Sequence, residues 1–331
     1  MSGRQGVLIC GEISNGQFSR ITPELLGIGQ RLADRLERDL HAVLIGSGID
    51  KKLAEECIYF GANTVHVIDD ALFQDYLTDS YVTALEKLAR SLDPEIILFG
   101  QTSLGRDAAP RLAYRLDTGV TLDCIDLTID AETGLMRQTK PVYGGNACAV
   151  YVCRTRPQLA SIRPKAMSPA DRDKQRKGEI VSFVVDIETK EIRGRVVERV
   201  DEEVTGVKLE DADVVVCGGR GIGGPEGFEQ LAELARLLKG AVGATRPPCE
   251  DGLVLEHCQI GLTGKIVSPR LYIGVALSGS SQHLAGMSGS KNIVAINRDP
   301  EANIFSIAHY GAVGDYREAL AAFIEKCKDE L

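Results

Sequence analysis

Six glycines crowd ten residues in Gly218-Gly-Arg220-Gly-Ile-Gly-Gly-Pro-Glu-Gly227. The run follows the apolar stretch Val214-Val-Val-Cys217 and contains G-x-G-x-x-G at Gly219, Gly221 and Gly224. Such a turn lets the backbone approach a pyrophosphate at the N-terminus of a helix. The same glycines also suit a plain strand-to-helix turn that needs φ > 0. A dinucleotide fingerprint wants an acid about 20 residues further on to hold the ribose. Here Ala241-Val-Gly-Ala-Thr245-Arg246 offers none, and Arg246 would instead suit a 2′-phosphate.

A second cluster lies downstream. It comprises Gln259-Ile-Gly261-Leu262-Thr263-Gly-Lys-Ile-Val267 and Leu271-Tyr-Ile-Gly-Val-Ala-Leu-Ser278-Gly279-Ser280-Ser281-Gln282-His283-Leu-Ala-Gly286-Met287. Ser278–Ser281 reads as a small-residue turn between a buried strand and a helix starting near Gln282. Its free N–H groups and small side chains suit a diphosphate. Asn297 follows another buried run, at the strand end where open α/β sheets bind ligands. His41, His66, His257 and His309 have no partners at ligand spacing, so no metal site is expected.

These residues need a scaffold, and the apolar runs supply one. Val7–Cys10, His41–Ile45, Thr64–Ile68 and Glu95–Phe99 read as strands. Helices are expected over about 22–38, 51–60 and 77–92, with a further one from Gly105. Thr22 is placed to cap the first, and Pro23 suits its first turn. Buried strands alternating with helices imply a parallel sheet covered on both faces. Thr121–Thr128, Met136–Pro141, Ala147–Cys153 and Leu159–Arg163 read as short strands continuing that layer, and 181–200 as an outer strand. Asp201–Asp213 reads as an acidic connector. Val214–Cys217 opens a second α/β unit, with a helix at Phe228–Leu238 and strands at Leu271–Ala276 and Asn292–Ile296. A further strand at Ile304–Ile307 and a closing helix at Ala319–Lys326 complete it.

The chain is α/β, with two domains divided at 200 and 201. Its 331 residues allow that number. Net charge is −9, and residues 201–331 carry 19 acidic against 12 basic side chains. Bulk attraction to nucleic acid or an anionic membrane is thereby excluded. No apolar run approaches the 18 residues of a membrane span, and no secretory signal is visible. The nine scattered cysteines form no C-x-x-C pair and read as reduced thiols of a cytoplasmic protein.

Four motifs in order carry a resemblance: G-G-R-G, G-x-T-G-K-I-V, S-G-x-x-Q-H-x-x-G-M and I-N-x-D-P-E-A. Together they resemble the FAD domain of the electron transfer flavoprotein alpha subunit family. Thr102-Ser-Leu-Gly-Arg106-Asp107, Tyr143-Gly-Gly-Asn146 and Ile162-Arg163-Pro164 resemble that family's first domain, so the likeness spans nearly the whole chain. It implies an N-terminal domain (1–200) like the adenine nucleotide alpha hydrolases, in contact with a beta subunit. It also implies a doubly wound FAD-binding domain over 201–331. By resemblance, Arg220 and Thr245 contact FAD, and Arg246 lies against the isoalloxazine. Thr263 reaches the flavin near N5, from a loop that includes Gly261 and Leu262. Ser278, Gly279, Ser280, Ser281, Gln282 and His283 hold the pyrophosphate and the N1/O2 edge. Asn297 and Asp315 hold the adenosine end. His283 and Arg246 would stabilise negative charge on the one-electron-reduced ring.

The implied role is an electron carrier rather than a stand-alone enzyme. Acyl-CoA dehydrogenase or enoyl-CoA reductase-type flavoenzymes would be its redox partners, with bifurcation in some members. An NADP-dependent dehydrogenase and a non-redox nucleotide-binding scaffold are the alternatives. Leu262 stands where the family commonly has Gln, and Ser280-Ser281 where it has Ala-Ile. The family's flavin potential therefore does not transfer.

Overall fold

The computed structural model describes residues 6–14, 16–145, 147–188, 192–198 and 207–330. The chain divides into two compact units, Met1–Pro141 with Cys148–Val200, and Val142–Ala147 with Asp201–Leu331. The boundary expected at 200 and 201 lies outside the described residues.

The first unit begins with β1 (Val7–Gly11), a short hairpin of β2 (Ile13–Ser14) and β3 (Gln17–Phe18), and α1 (Ile21–Leu36). Next come β4 (Leu40–Gly46), α2 (Lys51–Tyr59), β5 (Thr64–Asp69), α3 (Thr78–Leu92), β6 (Ile96–Gly100) and α4 (Ser103–Arg115). Then follow β7 (Val120–Cys124), β8 (Asp126–Ile129), β9 (Met136–Val142), β10 (Ala147–Val152), β11 (Gln158–Ile162) and β12 (Glu179–Ser182). Seven strands form one sheet in the order β12-β5-β4-β1-β6-β11-β7, every neighbouring pair parallel. The continuous apolar runs are explained by burial on both faces. Val7 and Ile9 pack with Leu25, Ile28 and Leu32 of α1, while Leu8 and Cys10 pack with Val82, Leu85 and Leu112 of α3 and α4.

Three details of this unit differ from the sequence reading. Thr22 does not cap α1; its hydroxyl accepts from Glu12 N–H (2.9 Å) and donates to Glu12 C=O (3.0 Å). Only β7 and β11 of the 120–165 region join the large sheet; β8, β9 and β10 form a separate three-stranded one. The cause is the turn Asp130–Gly134, where one Asp130 oxygen accepts from Glu132 N–H, Thr133 N–H and the Thr133 hydroxyl, with Gly134 at φ +65°. So tight a reversal pairs β8 and β9 antiparallel, whereas a parallel layer needs a long crossover. Among the described residues of the outer segment 181–200, strand structure is confined to β12 on the β5 edge. Phe183, Val185 and Ile187 still pack on the sheet, and 189–191 and 199–200 lie outside the described residues.

The second unit holds β13 (Val214–Gly218), α5 (Pro225–Leu237), β14 (Ala241–Ala244), α6 (Arg246–Glu250) and β15 (Leu271–Val275). It continues through α7 (Ser281–Met287), β16 (Asn292–Asn297), β17 (Tyr310–Val313) and α8 (Tyr316–Glu330). Its sheet is parallel throughout, in the order β14-β13-β15-β16-β17. Phe228, Leu231 and Leu234 of α5 cover one face with Leu320 and Ile324 of α8. Leu284 and Met287 of α7 cover the other with Ile304. The strand expected at Ile304–Ile307 is instead a 3-10 turn (Asn303–Ser306), and the fifth strand is β17. Strand order reverses between β13 and β15, the crevice position of a doubly wound sheet. Among the described residues no helix is long and apolar enough to cross a membrane.

Candidate cofactor site

Five parallel strands present their carboxyl ends at one edge, and the candidate residues sit in the turns that leave it. After β13 the glycine-rich turn lies backbone against backbone on the end of β15. Gly219 N–H donates to Val275 C=O (2.9 Å), and Gly221 N–H to Ala276 C=O (3.1 Å). A Cβ on Gly219 would stand 2.3 Å from the Ala276 oxygen. Glycine is needed at 219 for this close approach, whereas only Gly223 of the run has positive φ (+80°). Arg220 stands exposed on the outside of the turn.

After β14, Thr245 N–H donates to Gly218 C=O (3.0 Å) and Arg246 opens α6. Arg246 Nε is 2.7 Å from Glu250 Oε1, with both side chains more than half exposed. After β15 the chain turns through Ala276 (φ +51°) and Gly279 (φ +77°). Ser278, Ser280, Ser281 and Gln282 are exposed, and no side chain caps the start of α7. After β16, buried Asn297 donates Nδ2–H to Leu277 C=O (2.7 Å) and accepts from Asp299 N–H (3.0 Å). After β17, Asp315 accepts from Arg317 N–H (2.9 Å). Gly221, Ala276, Asn297, Arg298, Asp315 and Tyr316 line a small pocket here.

Gly261, Leu262 and Thr263 do not follow a strand but reach the same turn. Ile260 N–H bonds to the end of β14 at Ala244 C=O (2.9 Å), and Leu262 N–H donates to Gln282 C=O (2.8 Å). Gly261 sits at φ +152°, and a Cβ there would lie 3.0 Å from the Gln282 oxygen. The Thr263 hydroxyl accepts from Gln259 Nε2 (2.9 Å), and Leu262 is 58% exposed. The segment Tyr143–Gly145 also belongs to this unit, with Gly144 placed where a Cβ would meet Ser281 at 3.3 Å. Asn146 lies outside the described residues.

His283 lies in α7, just past the Ser278–Gln282 turn. It is buried, and both ring nitrogens are engaged inside the unit: Nδ1 is 3.0 Å from Ile260 C=O and Nε2 is 2.7 Å from the Tyr272 hydroxyl. Burial pushes its pKa down to about 4. The imidazole is therefore neutral near pH 7. Tyr272 and the Ile260 carbonyl were not evident as partners, since they lie 11 and 23 residues from His283. The nine cysteines are free thiols. Among the described residues no group of three or more His, Cys, Asp or Glu is placed to hold a metal.

The edge fits a dinucleotide. Small residues line it, its backbone approaches are too close for a Cβ at several positions, and its cations stand exposed. Residues 7–188 match the electron transfer flavoprotein domain, and residues 208–288 match the electron transfer flavoprotein FAD-binding domain. The chain is 44% identical over 329 residues to the electron transfer flavoprotein subunit alpha of Thermoanaerobacterium thermosaccharolyticum, covering 99% of each. It is 38% identical over 328 residues to protein FixB of Clostridium saccharobutylicum, covering 98% of this chain and 97% of that one. It is also 38% identical over 322 residues to the electron transfer flavoprotein subunit alpha of Bacillus subtilis, covering 97% of each.

Proposed function

The chain belongs to the electron transfer flavoprotein alpha-subunit family, and from that premise we infer that it carries electrons through an FAD held by its second unit. The turns after β13, β15, β16 and β17, which line one pocket at the carboxyl edge of the sheet, carry this reading. We assign 201–331 as the FAD-binding domain and 1–200 as the domain that meets a beta subunit. Acyl-CoA dehydrogenase or enoyl-CoA reductase-type flavoenzymes are its proposed redox partners, and a bifurcating assembly is the further form of this activity.

FAD, when bound, supplies the one- and two-electron chemistry. The chain's residues bind and tune. The turn Ser278–Gln282 would take the pyrophosphate, because small side chains leave its N–H groups accessible. Arg220 would contact the cofactor from the glycine-rich turn, and Arg246 would place fixed positive charge beside the ring, held in one direction by Glu250. Thr245 and Thr263 offer hydroxyls, and Asn297 and Asp315 border the pocket proposed for adenosine. Asn297 acts there by holding Leu277 and Asp299 in place. Leu262 adds an exposed apolar side chain where an amide would donate, and Ser280-Ser281 makes the turn more polar. Both changes alter the polarity that sets a flavin potential. Co-purification with the beta subunit and a visible spectrum test the reading. Flavin absorption with FAD released on denaturation is expected; a colourless, FAD-free complex refutes it.

A further inference from the structure

Tyr272 of β15 is wholly buried, and His283 of α7 is 4% exposed. Their 2.7 Å contact through Nε2 and the 3.0 Å contact of Nδ1 with Ile260 C=O fix the proton positions. A carbonyl only accepts, so Nδ1 carries a hydrogen. The neutral imidazole has one N–H, which leaves Nε2 as a lone pair. The Tyr272 hydroxyl must then donate to it.

This chain of contacts supports the loop that carries Leu262 and Thr263. Three rungs tie residues 260–267 to α7. They are the His283 ring to Ile260 C=O, Leu262 N–H to Gln282 C=O (2.8 Å) and Val267 N–H to Gly286 C=O (2.8 Å). The packing between them is tight, since a Cβ on Gly286 would lie 2.5 Å from Gly261 N. Two rungs are backbone bonds and have fixed polarity. The His283 rung alone depends on where a proton sits, and Tyr272 decides that.

We propose that Tyr272 is a positioning residue for the cofactor site: by donating to His283 Nε2 it holds the imidazole in the Nδ1–H tautomer and so fixes the 260–265 loop against the Ser280–Gln282 turn. The proposal rests on the FAD reading above. His283 acts on that loop through the Ile260 carbonyl.

The test uses the complex with its beta subunit, the histidines labelled with 15N. This chain has five histidines, and the His283 signals are assigned by their loss in His283→Asn. At pH 7 wild type should show Nδ1 protonated and Nε2 bare. Tyr272→Phe removes only the hydroxyl. It should shift the Nε2 resonance, weaken FAD binding about tenfold (~1.4 kcal/mol) and move the flavin's first reduction potential. An Nε2–H or cationic imidazole in wild type overturns the proposal. So does a Tyr272→Phe complex with unchanged resonance, affinity and potential, which a merely space-filling phenol would give. Should Tyr272→Phe fail to fold, the wild-type tautomer decides. A colourless complex with the Nδ1–H signature overturns the cofactor role and upholds the hydrogen-bond assignment.

Discussion

Replacing Gly279 with alanine strikes the turn between β15 and α7 in two separable ways. Its φ is +77°, where an L side chain costs roughly 1–2 kcal/mol. A Cβ there would lie 2.4 Å from Ile304 N, 2.7 Å from Ile304 Cα and 3.0 Å from Asn303 C. These are backbone atoms and cannot swing aside. Relief requires the 303–306 turn to retreat by about 1 Å, which breaks the 3.1 Å bond from Ile304 N–H to Ser278 C=O and disturbs buried Ile304. The lost bond adds about 1 kcal/mol, and repacking about 1–3 kcal/mol. Together they amount to roughly 3–6 kcal/mol. Gly252→Ala is the control, since Gly252 has a similar φ (+71°) and nothing within 4 Å of its Cβ. It should cost only about 1–2 kcal/mol. At roughly 2–4 °C per kcal/mol, thermal unfolding of the complex should separate the two variants by several degrees. Gly279→Ala should also release FAD during gel filtration, while Gly252→Ala retains it. If the two variants melt together and keep equal flavin, the close packing of this turn is not what holds the site.

Glu24 is buried, and desolvation raises its pKa to about 7 from 4.5 despite the N–H bonds it accepts, the first from Lys165. The folded state thus favours the protonated carboxyl. Its stabilising contribution is complete below pH 4.5 and is lost as pH rises through about 7. Glu24→Gln should flatten the decline in urea stability between pH 5 and 8, though only in part, because Glu12 is shifted the same way; an unchanged slope refutes the assignment. Arg163 is buried and bidentate on Asp123 at 2.9 and 2.7 Å. Arg163→Ala should cost about 3 kcal/mol in urea denaturation, and pairing it with Asp123→Asn should recover part of that. Glu250→Gln breaks an exposed pair with Arg246 and should change stability by less than ~1 kcal/mol. Arg246→Gln should weaken FAD binding severalfold in a fluorescence titration, and equal affinities for wild type and Arg246→Gln would remove Arg246 from the site.

The legibility of each element follows from what burial does to its composition. Val7–Cys10 and Ile96–Phe99 announce themselves because helices cover both faces of their sheet. Ala241–Ala244 forms a strand just as firmly, yet Ala-Val-Gly-Ala carries little apolar signal; its place is set by pairing with β13. Tyr310–Val313 is exposed at every position, so nothing in its side chains marks a strand, while buried Ile304 nearby imitates one. The separation of β8–β10 from the large sheet follows from the hydrogen bonds of Asp130, and apolar runs carry no information about which sheet a strand joins. At the site, the turns were readable because close backbone approach demands glycine and serine. The partners of His283 were not, because residue type gives a nitrogen's capability and only the fold brings Ile260 and Tyr272 to it.

Charge frames how such a chain serves an anionic cofactor. Residues 201–331 have seven more acidic than basic side chains, so the mean field of this part repels a diphosphate. At physiological ionic strength that field is screened within about 8 Å, and groups in direct contact decide the outcome. Several of the acids are occupied elsewhere: Glu233 is paired with Lys328 at 2.7 Å, and Glu330 with Lys326 at 3.1 Å. The carboxyl edge carries Arg220, Arg246 and Arg298 together with turns rich in unbranched, small residues. Backbone N–H groups add no net charge, so they can hold an anion without altering the chain's overall acidity. The glycines of the second unit and its acidic surface are thus compatible parts of one arrangement. Net charge keeps the surface unattractive to nucleic acid and anionic membranes, while local geometry and a few arginines make one edge receptive.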